Sequence, residues 1–244
     1  MKVAAAKARH LSKIKALEDL VLCTDQPPTY QAVVRALSEI SYEPHSAFPD
    51  KIFPPYSADH LAAKNVYSIV SQELVDAISY ELSVRGLSDA SIIEVCAGRG
   101  LLSHHLRQKG LDIVATDDYS EDMARLESVE RFNHKEALEK YRPEVVVVFW
   151  PAYSPLIGID ILSFQSVNFF LSVEESWACD NLKGRQPPGF SSSRLPSVEK
   201  SLICYLDTFS PGESGGPIEE VKYSGAILFQ RLSLTSIASS PKSW

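Results

Sequence analysis

The chain has little with which to staple itself, to enter a bilayer or to grip nucleic acid by charge alone. Its four cysteines, Cys23, Cys96, Cys179 and Cys204, stand far apart, with no CxxC pair and no histidine at metal-ligand spacing. That usage excludes a disulfide framework and a zinc finger and reads as a reduced thiol set. No stretch reaches the roughly 18 consecutive apolar residues a membrane span needs, and there is no apolar core of a secretory leader. The expected location is cytoplasmic, without membrane contact. Positive charge is also in deficit. A formal net charge of −7 argues against binding nucleic acid mainly by phosphate neutralisation, although it leaves room for a local basic patch. No internal repeat is visible.

What is present suits a folded α/β protein. With 45% hydrophobic and 23% charged residues over 244 positions, the chain can bury a sizeable core. We divide it into a helical and irregular extension over residues 1–57 and a main domain over 58–244. Residues 1–17 hold the basic patch: Lys2, Lys7, Arg9, Lys13 and Lys15 all precede the first acid, Glu18. Leu11, Ile14, Leu17 and Val21 recur at helical spacing, so the segment is an amphipathic helix. A solvated helix packed on the domain suits it better than a mitochondrial leader, because it is rich in Lys rather than Arg and short of Ser.

Pro27 and Pro28 end the first helical region, and residues 31–40 form a second helix with Val33, Val34, Leu37 and Ile40 on one side. The proline-dense residues 43–57 read as irregular. A long helical pattern covers residues 60–85, with Val66, Val70, Leu74, Ile78 and Leu82 four apart and Gly86 as terminator. Ser71 followed by Glu73 is a second possible start, as an N-cap with an acid in the first turn; Tyr67 and Ser68 would then lie in a turn.

Strands and helices then alternate: strand 91–95 (SIIEV), helix 101–108, strand 112–116 (DIVAT), helix 121–126, strand 128–132, helix 135–141 and strand 145–150. The last is apolar at every position, as a central strand covered on both faces is. This alternation implies βαβ units in a Rossmann-like, open, mostly parallel sheet flanked by helices. Further on, residues 157–173 read as a helix with Phe164, Phe169 and Phe170 inward. Residues 180–197 read as a long mobile loop, 201–206 (SLICYL) as a buried strand, 211–217 as a glycine-rich turn and 226–234 as a last strand.

The chemistry lies in Glu94-Val95-Cys96-Ala97-Gly98-Arg99-Gly100, where a strand ends and a helix begins. Glycines there let the backbone approach a ligand, and the helix start adds amide donors. Beyond Gly100 a second strand ends in Asp117-Asp118, where an acid can accept the two hydroxyls of a ribose. Alone, that pair of features fits SAM (S-adenosylmethionine) or NAD. Glu94, inside the first strand, suits a ligand carrying an amino group and a sulfonium better than a pyrophosphate. The turn also lacks the G-x-G-x-x-G spacing of dinucleotide sites.

The segment EVCAGRG resembles motif I of class I SAM-dependent methyltransferases, with Cys96 in place of the first glycine. Residues 67–78 (YSIVSQELVDAI), IIEVCAGRG, VATDD and residues 146–153 (VVVFWPAY) together look like a little-described methyltransferase-like group with a W-P-P-Y-like fourth-strand motif. Residues 205–216 (YLDTFSPGESGG) are similar to a later turn of that group. The resemblance implies SAM as cofactor and transfer of a methyl group. It implies that Glu94, Ala97, Gly98, Arg99 and Gly100 hold the methionine part and that Asp117, or Asp118 one residue on, holds the ribose. Asn133 would approach the adenine edge or serve as a plain turn residue, and Trp150 would lie against the cofactor. Tyr153 would stack on a substrate or fill the rim. Trp150 and Ala152 depart from the motif of amino-group methyltransferases, so an amino-group target is not implied.

His104 and His105 are adjacent on a helix, so at most one can face the site; both read as packing or surface residues. His134, Asp207 and Glu213 are weaker candidates, and no catalytic base stands out. The acceptor expected of an acidic chain is a small molecule. The alternatives are RNA or protein, recruited by residues 1–17, or a binding protein without catalysis. The usual fold ends in a helix and an antiparallel hairpin, and with residues 201–206 taken as the fifth strand little chain remains for them, so the expectation is a shortened sheet, or a long loop 180–197 that stands in for a missing element.

Overall fold

The computed structural model describes residues 2–41, 66, 68–151, 156–175, 182, 187–204 and 224–232. The readings for residues 43–57, 60–65, Tyr67, Tyr153 and 205–217 lie outside them, as do Asp207 and Glu213.

Two helices begin the chain, α1 (Lys2–Val21) and α2 (Tyr30–Ser41). They bury Ile14, Leu17, Val21, Val33, Leu37 and Ile40 against each other and against Val66, Ile69 and Ile203. The apolar spacing is thus satisfied by a core of their own except at Leu11 and Val34, which are exposed. A short strand, β1 (Ser68–Ile69), then precedes α3 (Gln72–Ser83). Helix 60–85 is corrected here. Ser71, the second possible start, is the N-cap, accepting a bond from the Leu74 amide at 3.2 Å, and Ser68–Ile69 before it are strand.

Seven strands form the main sheet: β2 (Ile92–Val95), β3 (Ile113–Asp117), β4 (Val129–Arg131), β5 (Val145–Phe149), β6 (Phe169–Glu175), β7 (Phe190–Arg194) and β9 (Ser224–Arg231). Their order is β4-β3-β2-β5-β6-β9-β7. Neighbours from β4 to β6 are parallel, while β9 runs antiparallel to both β6 and β7. Without β9 this is the strand order of a doubly wound dinucleotide fold, reversing direction between β2 and β5. The fold is therefore a Rossmann-like, mostly parallel sheet flanked by helices.

The helices are α4 (Leu101–Gln108), α5 (His134–Tyr141), α6 (Ile157–Ser163) and α7 (Pro196–Lys200), besides α3. Val145 and Val147 pack with α3, α4 and α7, whereas Val146 and Val148 pack with α5 and α6. All four valines are no more than 1% exposed, the double burial expected of a central parallel strand.

The C-terminal third corrects the sequence reading. Residues 157–173 are not one helix: α6 stops at Ser163, and Phe169 begins the fifth parallel strand. The apolar run suited either element; its register beside β5, Val145 with Phe169 through Phe149 with Val173, makes it a strand. Within 180–197, read as a mobile loop, residues 190–194 form the edge strand β7 and 196–200 a helix. Of 201–206 only β8 (Ile203–Cys204) is a described strand, and it pairs with β1 outside the main sheet. The sheet is not shortened. Helix 121–126 is likewise absent, for a reason found at the site.

Candidate functional site

The crevice at the reversal between β2 and β5 is where open α/β sheets bind ligands. A cavity of about 550 Å³ lies there, within the range of small-ligand sites. Glu94, Ala97, Gly98, Arg99, Asp117, Asp118, Asn133 and Trp150 all line it. Gly100 does not, and Tyr153 lies outside the described residues.

Glu94 is 1% exposed. The amide of Ser103, in the first turn of α4, donates to its Oε2 at 3.0 Å, and the Ser103 hydroxyl donates to the same oxygen. That leaves Oε1 to the cavity, with no hydrogen-bond partner among the described residues. Burial pushes the carboxyl up to about 7, against the opposing pull of the Ser103 bonds and Arg107.

The turn after β2 is built on positive φ: Cys96 at 56°, Gly98 at 54° and Gly100 at 80°. The Ala97 amide reaches Thr116 O and the Gly100 amide reaches Ala97 O. Gly100 serves packing, since a Cβ there would lie 2.3 Å from Val129 Cγ2. Cys96 holds a left-handed conformation that costs an L-residue about 1–2 kcal/mol. Its thiol is pushed up to about 12 by burial first, then by Asp117, Asp118 and Glu94. The same carboxylate field favours a cation in this corner of the cavity.

The two candidate ribose acids differ in what already occupies them. Asp117 is 8% exposed; its Oδ2 accepts the Gly98 amide at 2.9 Å, and its Oδ1 accepts the Tyr119 amide and two bonds from Arg125. It ties the glycine turn to β3. Asp118 is exposed, and its Oδ1 accepts the Ser120 amide. Hydrogen bonding to Ser120 holds its carboxyl below the ordinary range.

Asn133 is the N-cap of α5, in a capping box with Glu136: its Oδ1 accepts the amides of Lys135 and Glu136. Its oxygen is therefore committed to the helix although the residue borders the cavity. His134, next to it, pairs with Asp160 of α6 at 2.9 Å. Trp150 has φ 60° and its amide donates to Val173 O, so the backbone leaves β5 in a strained turn at the cavity wall. Phe149, Pro151 and Ile157 continue that wall as an apolar surface.

His104 and His105 are not among the residues that line the cavity. Their Nε2 atoms bond Thr24 O at 2.8 Å and Cys23 O at 3.2 Å, docking the α1–α2 connection onto α4. Burial holds the His105 imidazole below its ordinary value. Sequence reasoning missed Ser103, Met123 and Arg125. Ser103 was within reach as a hydroxyl in the first turn of the helix after the motif. Arg125 gave no local signal, because its partner stands in the preceding strand. No group of three or more metal-ligating side chains gathers among the described residues.

No family model matches the chain, and no curated protein matches it in sequence. Among solved structures it is similar to magnesium protoporphyrin IX methyltransferase from Synechocystis with bound SAM. That pair shares 14% identity over 66% of this chain and 79% of the other, with TM-score 0.41. It is also similar to the plantazolicin methyltransferase in complex with S-adenosylhomocysteine, at 11% identity over 92% of this chain and 100% of the other, with TM-score 0.39. SAM-dependent methyltransferases are thus among its structural neighbours, but likeness at this level carries no conclusion about ligand or reaction.

Proposed function

We propose that this chain is a SAM-dependent methyltransferase of the little-described W-P-P-Y-like group, acting on a small molecule. The observation that carries the reading is Glu94: a buried carboxylate beside a glycine turn that lines the cavity, with both of its bonds among the described residues on one oxygen. A buried anion calls for a cation or a donor, and the amino group of SAM supplies one. Asp118 takes the ribose hydroxyls, because Asp117 is already occupied. Asn133 keeps to its helix and presents only its edge to the adenine.

SAM when bound supplies an electrophilic methyl group on a sulfonium. The chain's part is to bind it, to exclude water and to hold an acceptor in line, a task of proximity and orientation. The apolar wall of Phe149, Trp150, Pro151 and Ile157 suits the body of an organic acceptor. Asp118 and Glu121 also line the cavity, and their charge disfavours a phosphodiester, which favours a small molecule over RNA.

Calorimetric titration with SAM and with S-adenosylhomocysteine, NAD serving as control, tests the reading. Micromolar binding that is lost in Gly98→Arg and weakened at least tenfold in Asp118→Ala is the expected result. Absence of heat with both sulfur ligands, or equal affinity for NAD, overturns it. Asp117→Ala is a poor probe, since it also releases the glycine turn.

A further inference from the structure

Residues 118–126 follow β3 where a helix was expected over 121–126, and they run as an irregular strap beside the glycine turn. Arg125 explains the difference. In a helix the carbonyl of Glu121 would accept the Arg125 amide. Here it accepts the Arg125 guanidinium instead, at 2.9 Å, while Met123 O accepts another bond at 3.1 Å. The remaining donors go to Asp117 Oδ1 at 2.8 and 3.1 Å, in an ion pair with both side chains about 10% exposed. The guanidinium also lies 4.3 Å from the centre of the Tyr119 ring. One side chain therefore folds the strap on itself and ties it to the strand end.

The strap in turn touches the glycine turn. The Leu126 amide donates to Arg99 O at 3.1 Å, Arg99 Nη1 donates to Ala124 O, and Met123 Sδ lies 3.6 Å from where a Gly98 Cβ would be. Ser120, Glu121 and Met123 line the cavity. The strap is thus a wall of the cavity, held to the glycine turn through Leu126 and Ala124 and to the end of β3 by the buried Asp117–Arg125 pair.

Resting on the cofactor reading above, we propose that Arg125 is a positioning residue that latches this strap over the nucleoside end and thereby sets how slowly the ligand leaves. Release of the Asp117–Arg125 pair loosens the strap from the end of β3 and leaves the Leu126 and Ala124 bonds to Arg99 as its ties to the turn, so the wall opens more often. Arg125→Lys keeps a cation near Asp117 but lacks the fork that binds Glu121 O and Met123 O, so it restores only part of the closure.

Two measurements on the full chain test this. The first is hydrogen exchange at the Tyr119, Met123 and Leu126 amides without ligand, in wild type, Arg125→Ala and Arg125→Lys. We expect at least tenfold faster exchange in Arg125→Ala, an intermediate rate in Arg125→Lys, and unchanged rates in α3 and β5. The second is the chase of tritiated SAM by unlabelled SAM, with dissociation at least tenfold faster in Arg125→Ala and intermediate in Arg125→Lys. Unchanged strap exchange overturns the latch whatever binds. Faster exchange with unchanged dissociation overturns its role in ligand release. Failure of the wild-type chain to bind SAM overturns the cofactor reading, while the exchange result still decides whether the strap is latched.

Discussion

Replacing Glu94 with Gln should stabilise the unliganded protein and weaken it as a binder. Glu94 is 1% exposed, and its folded-state value of about 7 stands well above the 4.5 of a free carboxyl. The folded state therefore holds the proton more tightly than the unfolded one, and stability falls as pH rises from about 4.5 through about 7. Linkage puts that loss at about 1 kcal/mol at pH 5 and about 3 kcal/mol at pH 8. Gln carries no charge to desolvate. Both Ser103 bonds converge on one oxygen, so a single amide oxygen can accept them, and the amide nitrogen takes the cavity side. For a chain of this size, about 3 kcal/mol raises the melting temperature by roughly 6–12 °C. Thermal melts of both proteins at pH 5, 6, 7 and 8 read the difference directly. SAM affinity measured in parallel should drop at least tenfold, because the anion that meets the amino group is gone. A lower melting temperature for Glu94→Gln at pH 8, or a gain equal at pH 5 and pH 8, refutes the reasoning.

Gly100→Ala combines left-handed strain with a Cβ 2.3 Å from Val129 Cγ2 and should cost about 3 kcal/mol. Gly86→Ala, also at positive φ but with nothing within 4 Å of its Cβ, should cost about 1 kcal/mol; equal losses in urea melts would sink the packing role of Gly100. Cys96, pushed up to about 12, holds thiolate in roughly 1 molecule in 10⁴ at pH 8. It should label slowly with iodoacetamide while the native protein lasts, and stoichiometric labelling within minutes, read by mass spectrometry, would contradict a thiol raised by its partly buried, carboxylate-rich surroundings. His105, held below its ordinary value by burial, contributes stability above about pH 6.5 that is lost as pH falls through its folded value. His105→Gln should flatten that acid-side loss, and exchange rates in α1 and α2 at pH 7.5 and 5.5 measure it.

Much of the fold was legible residue by residue. The run VVVV of β5 fitted a strand buried on both faces, and Ser71 was the second of two possible starts for the helix that became α3. The glycine turn, Glu94 and the Asp117-Asp118 pair announced the lining of the cavity because strand end, turn and helix start are consecutive in the chain. Local chemistry suffices where the partners are local. It failed at β7, whose FSSSR has no apolar alternation; that edge strand exists because β9 offers it a hydrogen-bonding partner, Ser192 opposite Phe229. It failed again at residues 118–126, where helical propensity lost to a guanidinium anchored on the preceding strand. The sequence by itself determined the parallel core and the turn that opens the site. Only the tertiary structure decided which aspartate is occupied, where the fifth strand begins and what walls the cavity, because pairings distant in the chain, unlike caps and turns, leave no mark in the residues' own neighbourhood.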